Sequence, residues 1–215
     1  MLKAEVLKKF EKYILDNHFK PGDRLPGEVE LATLFGVSRG TLREVIGYLT
    51  LKGILERRTS QGTVLRIPEV ADIANDLAFQ MQLLNCGREE LKASREILEL
   101  SIVSSLIRYA TPAHIDHLTD INERMMKTAN KTAAADKLDL EFHMALFDIT
   151  GNRILKIFAE LLTVQFEGKS RPPFRDKQAV LNSGESHRAM IKAIADRNTT
   201  ELSRLILEHI KPLPI

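Results

Sequence analysis

Glycine and proline are crowded into one stretch of this chain, and that crowding constrains its fold more than any other feature. Between Lys20 and Pro68 stand Pro21, Gly22, Pro26, Gly27, Gly36, Gly40, Gly47, Gly53, Gly62 and Pro68. From Glu69 to Ile210 glycine is sparse, and apolar residues recur at helical spacing. Frequent breakers require short elements joined by tight turns, and their scarcity permits long helices. The expected fold is therefore mainly α, with a compact α+β module at residues 1–68 and an all-α helical bundle at residues 69–215.

Within the first module, Val6, Leu7, Phe10, Tyr13 and Ile14 follow an i, i+3, i+4, i+7 pattern and predict a helix from Leu2 to His18. A short second helix is expected over Glu28–Phe35, with Gly36 supplying the left-handed turn at its end. Ser38 is placed to cap a third helix, Arg39–Lys52. Ile54–Arg58 and Thr63–Ile67 read as strands, with Thr59, Ser60, Gln61 and Gly62 as the hairpin turn. Two helices joined by a short glycine-containing turn and followed by a hairpin describe a winged helix-turn-helix.

Charge is distributed in keeping with that reading. Residues 1–68 hold 12 Lys and Arg against 8 Asp and Glu, and the remainder holds 19 against 21. On the third helix Leu42, Val45, Ile46 and Leu49 form an apolar stripe, and Arg39 and Arg43 lie one turn apart beside it. Two guanidiniums so placed can bind guanine edges or clamp phosphates. Surface arginines are often merely solvated; the complete order of helix, turn, helix and hairpin favours the DNA-reading role.

The motifs Pro21-Gly22-Asp23-Arg24-Leu25-Pro26, Glu30-Leu31-Ala32, Gly36-Val37-Ser38-Arg39, Leu42-Arg43-Glu44, Gly53-Ile54-Leu55 and Gln61-Gly62-Thr63 resemble the GntR family of bacterial regulators. The resemblance implies that Ser38, Arg39, Gly40, Thr41 and Arg43 meet double-stranded operator DNA from the recognition helix, and that Gln61, Gly62 and Thr63 form the wing tip. Glu28-Val29-Glu30-Leu31 departs from the family pattern, which usually carries arginine where Val29 stands, so the operator is expected to be atypical.

In the second module, helices are expected near 70–84, 88–109, 112–128, 132–150, 152–167, 178–197 and 199–210, with Arg171-Pro172-Pro173-Phe174 as a loop. Asp139 and His143 are four residues apart, so they share a helix face. His187 runs ten residues to Arg197, and after a turn at Asn198-Thr199 the chain runs ten residues back to His209. In an antiparallel hairpin these two histidines reach a similar height. Each lies among apolar residues, as does His143, so all three should face the core. One such histidine is usually a core residue satisfied by a neighbour. Three, with a carboxylate one turn from one of them, fit a shared metal site better. Imidazole with carboxylate suits a divalent transition metal such as Zn, Ni or Mn.

The Asp139-x-x-Phe142-His143 run, Gly151-Asn152, Glu185-x-His187-Arg188-Ala189 and His209 resemble the FadR-type C-terminal domain, known as FCD. That resemblance implies a six- or seven-helix bundle, a homodimer, and a divalent metal held by Asp139, His143, His187 and His209. One departure is Ser186, which stands before the third ligand where glutamate is more usual. Arg95 matches an arginine placed over the ligand cavity, where it would hold the carboxylate of a small organic acid effector. The competing role for Arg95 is a salt bridge to Glu99 at i+4.

The function expected from these features is a cytoplasmic transcription regulator, a repressor by its usual family role, binding a palindromic operator as a dimer. Cys86 is the single cysteine, which fits a reducing compartment, and no apolar run approaches the roughly 18 residues that span a bilayer. Neither a nucleophile constellation nor a glycine-rich phosphate loop is present, and Glu141 points away from His143, so an enzyme is not expected. Two alternatives are a metal-dependent enzyme with an appended DNA module and a metal-free regulator responding to acyl-CoA or a fatty acid; the four filled ligand positions argue against the second.

Overall fold

A computed structural model describes residues 3–67, 69, 77, 80, 83–84, 88–164 and 174–210. The chain divides into two compact units, Met1–Asp76 and Leu77–Ile215.

The first unit comprises α1 (Lys3–Asp16), α2 (Glu28–Phe35), α3 (Arg39–Leu51), β1 (Leu55–Arg58) and β2 (Gly62–Leu65). Val6, Phe10 and Ile14 of α1 meet Leu31 and Phe35 of α2 and Leu42, Val45, Ile46 and Leu49 of α3 in a single core. The expected terminators operate. Gly36 adopts φ 68° at the end of α2, and its N–H donates to the carbonyls of Ala32 and Thr33. Ser38 caps α3 by accepting the Thr41 N–H at 3.1 Å. β1 and β2 pair antiparallel, Leu55 opposite Leu65 and Arg58 opposite Gly62, which makes Gly62 (φ 79°) the first residue of β2. The sequence does not announce a third edge: Arg24 bridges Val64, Leu25 N–H donates to Thr63 O at 2.9 Å, and Leu65 N–H donates to Asp23 O at 2.9 Å. The Pro-Gly-Asp-Arg-Leu segment thus lies along β2 and fixes the wing to the helices.

In the second unit the described residues form seven helices: α4 (Arg88–Ser101), α5 (Val103–Tyr109), α6 (Pro112–Lys127), α7 (Thr132–Ile149), α8 (Arg153–Val164), α9 (Lys177–Ala195) and α10 (Thr199–Ile210). The helix expected near 70–84 falls largely outside the described residues, as do Pro68 and Arg171-Pro172-Pro173. The single helix expected over 88–109 is interrupted at Ile102. There the Ser101 hydroxyl donates to the Leu98 carbonyl oxygen at 2.7 Å, a local bond that competes with the helical ladder. The core runs through Leu106, Leu118, Ile121, Phe142, Leu146, Phe147, Met190, Ile194, Leu202 and Ile206. No helix among the described residues is long and apolar enough to cross a membrane.

The close approach of α6 and α9 depends on Gly184. A Cβ there would stand 2.5 Å from Met126 Cγ and 2.8 Å from its Sδ. Gly184 O also accepts the Asn122 side-chain N–H at 2.9 Å. Gly184→Ala gains up to about 1 kcal/mol of helix propensity but forces a clash costing about 1–3 kcal/mol. The expected outcome is a net loss of about 1 kcal/mol, measured by urea unfolding.

Candidate functional site

Two groups of residues carry chemistry, one in each unit. In the first unit, α3 buries its apolar stripe and leaves Arg39, Gly40, Arg43 and Gly47 exposed. Ser38 and Thr41 are tied to one another, their hydroxyl oxygens 2.9 Å apart, so both serve the helix start. Arg39 has no ion pair among the described residues. Arg43 does: its Nε donates to Glu28 Oε2 at 3.2 Å, and the other oxygen of that carboxylate accepts Arg57 Nη2 at 2.9 Å. Gln61 accepts Arg58 Nη1 at 3.4 Å at the wing, where Gln61 and Gly62 are exposed and Thr63 half-buried. Val29 is 57% exposed, an apolar side chain on the surface of α2. A Cβ on Gly40 would make only ordinary contact with Ser38 Oγ at 3.7 Å, and one on Gly47 would meet nothing within 4 Å, so nothing inside the unit requires glycine at either position.

In the second unit the four expected ligands converge. Asp139 and His143 lie one turn apart on the buried face of α7, His187 on the buried face of α9, and His209 near the end of α10. The turn that brings α9 and α10 back to back has Arg197 at φ 57°, with Asn198 N–H donating to Ala193 O at 2.9 Å and the Asn198 side chain capping α10 through the Glu201 N–H at 3.0 Å. One ligand atom from each of the four residues lies within 4.8 Å of all the others. His143 Nε2 stands 3.1 Å from His209 Nε2, and Asp139 places Oδ2 3.7 Å from His143 Nε2 and Oδ1 3.3 Å from His187 Nε2.

Each histidine is oriented through its other nitrogen. His143 Nδ1 meets Glu99 Oε2 at 3.1 Å, His187 Nδ1 meets Asn122 Oδ1 at 3.2 Å, and His209 Nδ1 meets Ser186 Oγ at 3.2 Å. Burial disfavours charge on Glu99, but the Arg95 guanidinium and His143 outweigh it and hold this carboxyl well below the usual carboxylate range. An ionised Glu99 can only accept, so His143 Nδ1 carries a proton and, in the neutral ring, Nε2 keeps its lone pair. Asn122 donates its own N–H to Gly184, which leaves its oxygen to accept from His187 Nδ1. Phe142 stacks on the His187 ring, centroids 3.8 Å apart, and Ser183 Oγ donates to Asp139 Oδ1 at 2.8 Å. Burial pushes His209 down to about 4, which keeps that ring neutral at pH 7.

This donor set fits a divalent transition metal. Nitrogens bound to one ion at about 2.0–2.1 Å stand about 3.0–3.4 Å from each other, and the 3.1 Å between His143 Nε2 and His209 Nε2 falls in that range. Carboxylate, amide and hydroxyl on the outward nitrogens are the partners that fix ligating imidazoles. Glu99, Asn122, Ser183 and Ser186 were not singled out for this role in the sequence; only the position of Ser186, next to His187, hinted at it.

Arg95 is 6% exposed, and its Nε donates to Glu99 Oε1 at 2.6 Å, so the i+4 salt bridge weighed against its effector role is present. The other histidines stand apart from the cluster: His18 and His117 are exposed, and His114 completes a capping box with Thr111 at the start of α6.

The chain matches the FCD domain over residues 90–212 and the bacterial regulatory proteins of the gntR family over residues 2–65. It is 27% identical to the HTH-type transcriptional regulator LutR of Bacillus subtilis (strain 168), covering 92% of each chain. It is 28% identical to the HTH-type transcriptional repressor NanR of Citrobacter rodentium, over 97% of this chain and 82% of the relative. A solved structure of Streptococcus agalactiae GntR superposes with a TM-score of 0.65 at 26% identity over 97% of each chain. The helix-turn-helix with its wing, the helical bundle that follows it in the sequence and these matches together place the chain in the GntR family of DNA-binding transcriptional regulators with an FCD domain, and not among enzymes.

Proposed function

We propose that this regulator is a repressor that binds a palindromic operator as a homodimer and answers to a small organic acid bound at a divalent metal in its helical unit. The observation that carries the sensor half is the convergence of three imidazole nitrogens and one carboxylate, each imidazole tied outward by its second nitrogen. Asp139, His143, His187 and His209 would hold the ion, of Zn, Ni or Mn type. When bound, it would supply open coordination positions to an oxygen of the effector. Arg95 spends its Nε on Glu99, and its terminal nitrogens, which make no hydrogen bond among the described residues, could take a carboxylate. Effector binding regulates DNA affinity only if the acid prefers one of the DNA-competent and DNA-incompetent states of the dimer. Support for the homodimer comes from Ile154, Ile157 and Phe158, an exposed apolar row on α8 that a second copy could bury.

Small mono-, di- and hydroxycarboxylic acids, screened by thermal shift on untagged protein as purified and again after chelation, test this reading. At least one acid is expected to raise the melting temperature of the metal-loaded protein and to lose that effect on chelation. Acid-dependent stabilisation that survives chelation would refute the metal-linked reading.

A further inference from the structure

The reading surface of the first unit contains an acid that DNA recognition does not obviously need. Glu28, the first residue of α2, directs its carboxylate at two cations from different elements: Arg43 on α3, through Nε at 3.2 Å, and Arg57 on β1, through Nη2 at 2.9 Å. Both arginines remain more than half exposed, at 59% and 52% for their side chains, while Glu28 is 25% exposed. Exposed ion pairs add little to stability, so fold maintenance is a weak reason for this one. A carboxylate among cations that must meet a polyanion also subtracts from non-specific attraction.

The geometry of the Arg43 pair gives the acid another role. Glu28 occupies Nε alone, and among the described residues Nη1 and Nη2 of Arg43 make no hydrogen bond or ion pair. An arginine held by one edge loses torsional freedom and presents its two terminal nitrogens in a fixed plane. That fork matches the O6 and N7 acceptors of guanine in the major groove. The same carboxylate links the fork to Arg57 on the wing strand, so the recognition helix and the wing share one anchor. We infer that Glu28 is a positioning residue for sequence reading: it aims the Arg43 fork at a guanine edge and ties it to the wing, trading non-specific affinity for discrimination. This rests on the reading of α3 as the recognition helix.

Glu28→Gln in the full chain keeps the side-chain shape and removes the charge. The probes are the tightest duplex selected from a random 30-base-pair pool by the unaltered protein and a scrambled duplex of the same composition. The expected result is a fall of about tenfold in the ratio of the two affinities, with binding to the scrambled duplex unchanged or stronger. Selection repeated with Glu28→Gln should lose preference at the same base positions as selection with Arg43→Ala, and Glu28→Gln should add nothing in an Arg43→Ala background. A ratio changed by less than twofold, or equal strengthening on both duplexes, would overturn the inference. If Arg43→Ala lowers the ratio and Glu28→Gln does not, only the role of Glu28 fails. If Arg43→Ala itself leaves the ratio unchanged, the recognition-helix reading fails with it. Circular dichroism and melting of each variant separate these outcomes from misfolding.

Discussion

Arg39→Ala and Arg43→Ala are each expected to weaken operator binding by roughly ten- to a hundredfold while leaving the fold intact. For Arg43 the magnitude follows from the about 1–3 kcal/mol that a well-placed arginine contributes to base discrimination, and for Arg39 from the about 1.5–3 kcal/mol of a hydrogen bond to a charged group. Fold retention follows from position: both side chains project from the exposed side of α3, away from Leu42, Val45, Ile46 and Leu49, and surface changes of this kind stay within about 0.5 kcal/mol. The two arginines should nevertheless differ. Arg43 is oriented by Glu28, and its loss should fall mainly on the operator and spare scrambled DNA. Arg39, which has no ion pair among the described residues, is the better candidate for a phosphate contact. Its loss should weaken both duplexes and lower the slope of log affinity against log salt by about one. Fluorescence anisotropy on operator and scrambled duplexes across a salt series makes both measurements. Unchanged affinity in both variants would remove α3 from the DNA interface.

Features set by local chemistry were legible in the sequence. Gly36 and Ser38 mark the ends of α2 and α3 because a left-handed turn and a capping hydroxyl each need particular residue types. The apolar stripe of α3 and the shared face of Asp139 and His143 follow from helical periodicity. Even the meeting of His187 with His209 could be reasoned from equal distances either side of a turn, since an antiparallel helix pair preserves height. What was not legible depends on partners far apart in the chain. The edge that Arg24 adds to β2 reads locally as a Pro-Gly turn, and its bonds go to residues about forty positions away. Glu28 reads as an ordinary first-turn acid that suits a helix dipole, and nothing in its neighbourhood points to Arg43 or Arg57. Asn122 and Glu99 lie on helices whose patterns show burial but not the imidazole that each will meet. Ser186, a departure from the usual glutamate, instead meets the His209 ring. The salt bridge from Arg95 to Glu99 was visible as spacing; that it also reaches His143 through Glu99 was not.

Asp139→Asn is expected to reduce metal affinity by at least about a hundredfold while leaving the metal-free protein nearly as stable as before. Asp139 is the only anionic member of the ligand set, and the buried Glu99 carboxylate is engaged elsewhere, on Arg95 and on the outward nitrogen of His143. Loss of an outer partner of a metal site already costs about ten- to a hundredfold, and loss of the charged ligand itself should exceed that. Asparagine preserves the shape and still offers Ser183 an oxygen to donate to, so the packing of α7 against α9 should survive. The readout is the difference between two melting curves. With metal at a hundred times its dissociation constant, the unaltered protein should gain about 2.7 kcal/mol, or about 5–10 °C for a chain of this size. At the same concentration the variant stands near its own dissociation constant and should gain about 0.4 kcal/mol, a degree or so. Elemental analysis of both untagged proteins as purified should show metal in one and little in the other. A buried polar network that binds no ion behaves in the opposite way: the substitution lowers the melting temperature of the chelated protein, and Zn, Ni or Mn shifts neither form. The order of these two effects therefore decides whether the four side chains converge to hold an ion or only to satisfy one another.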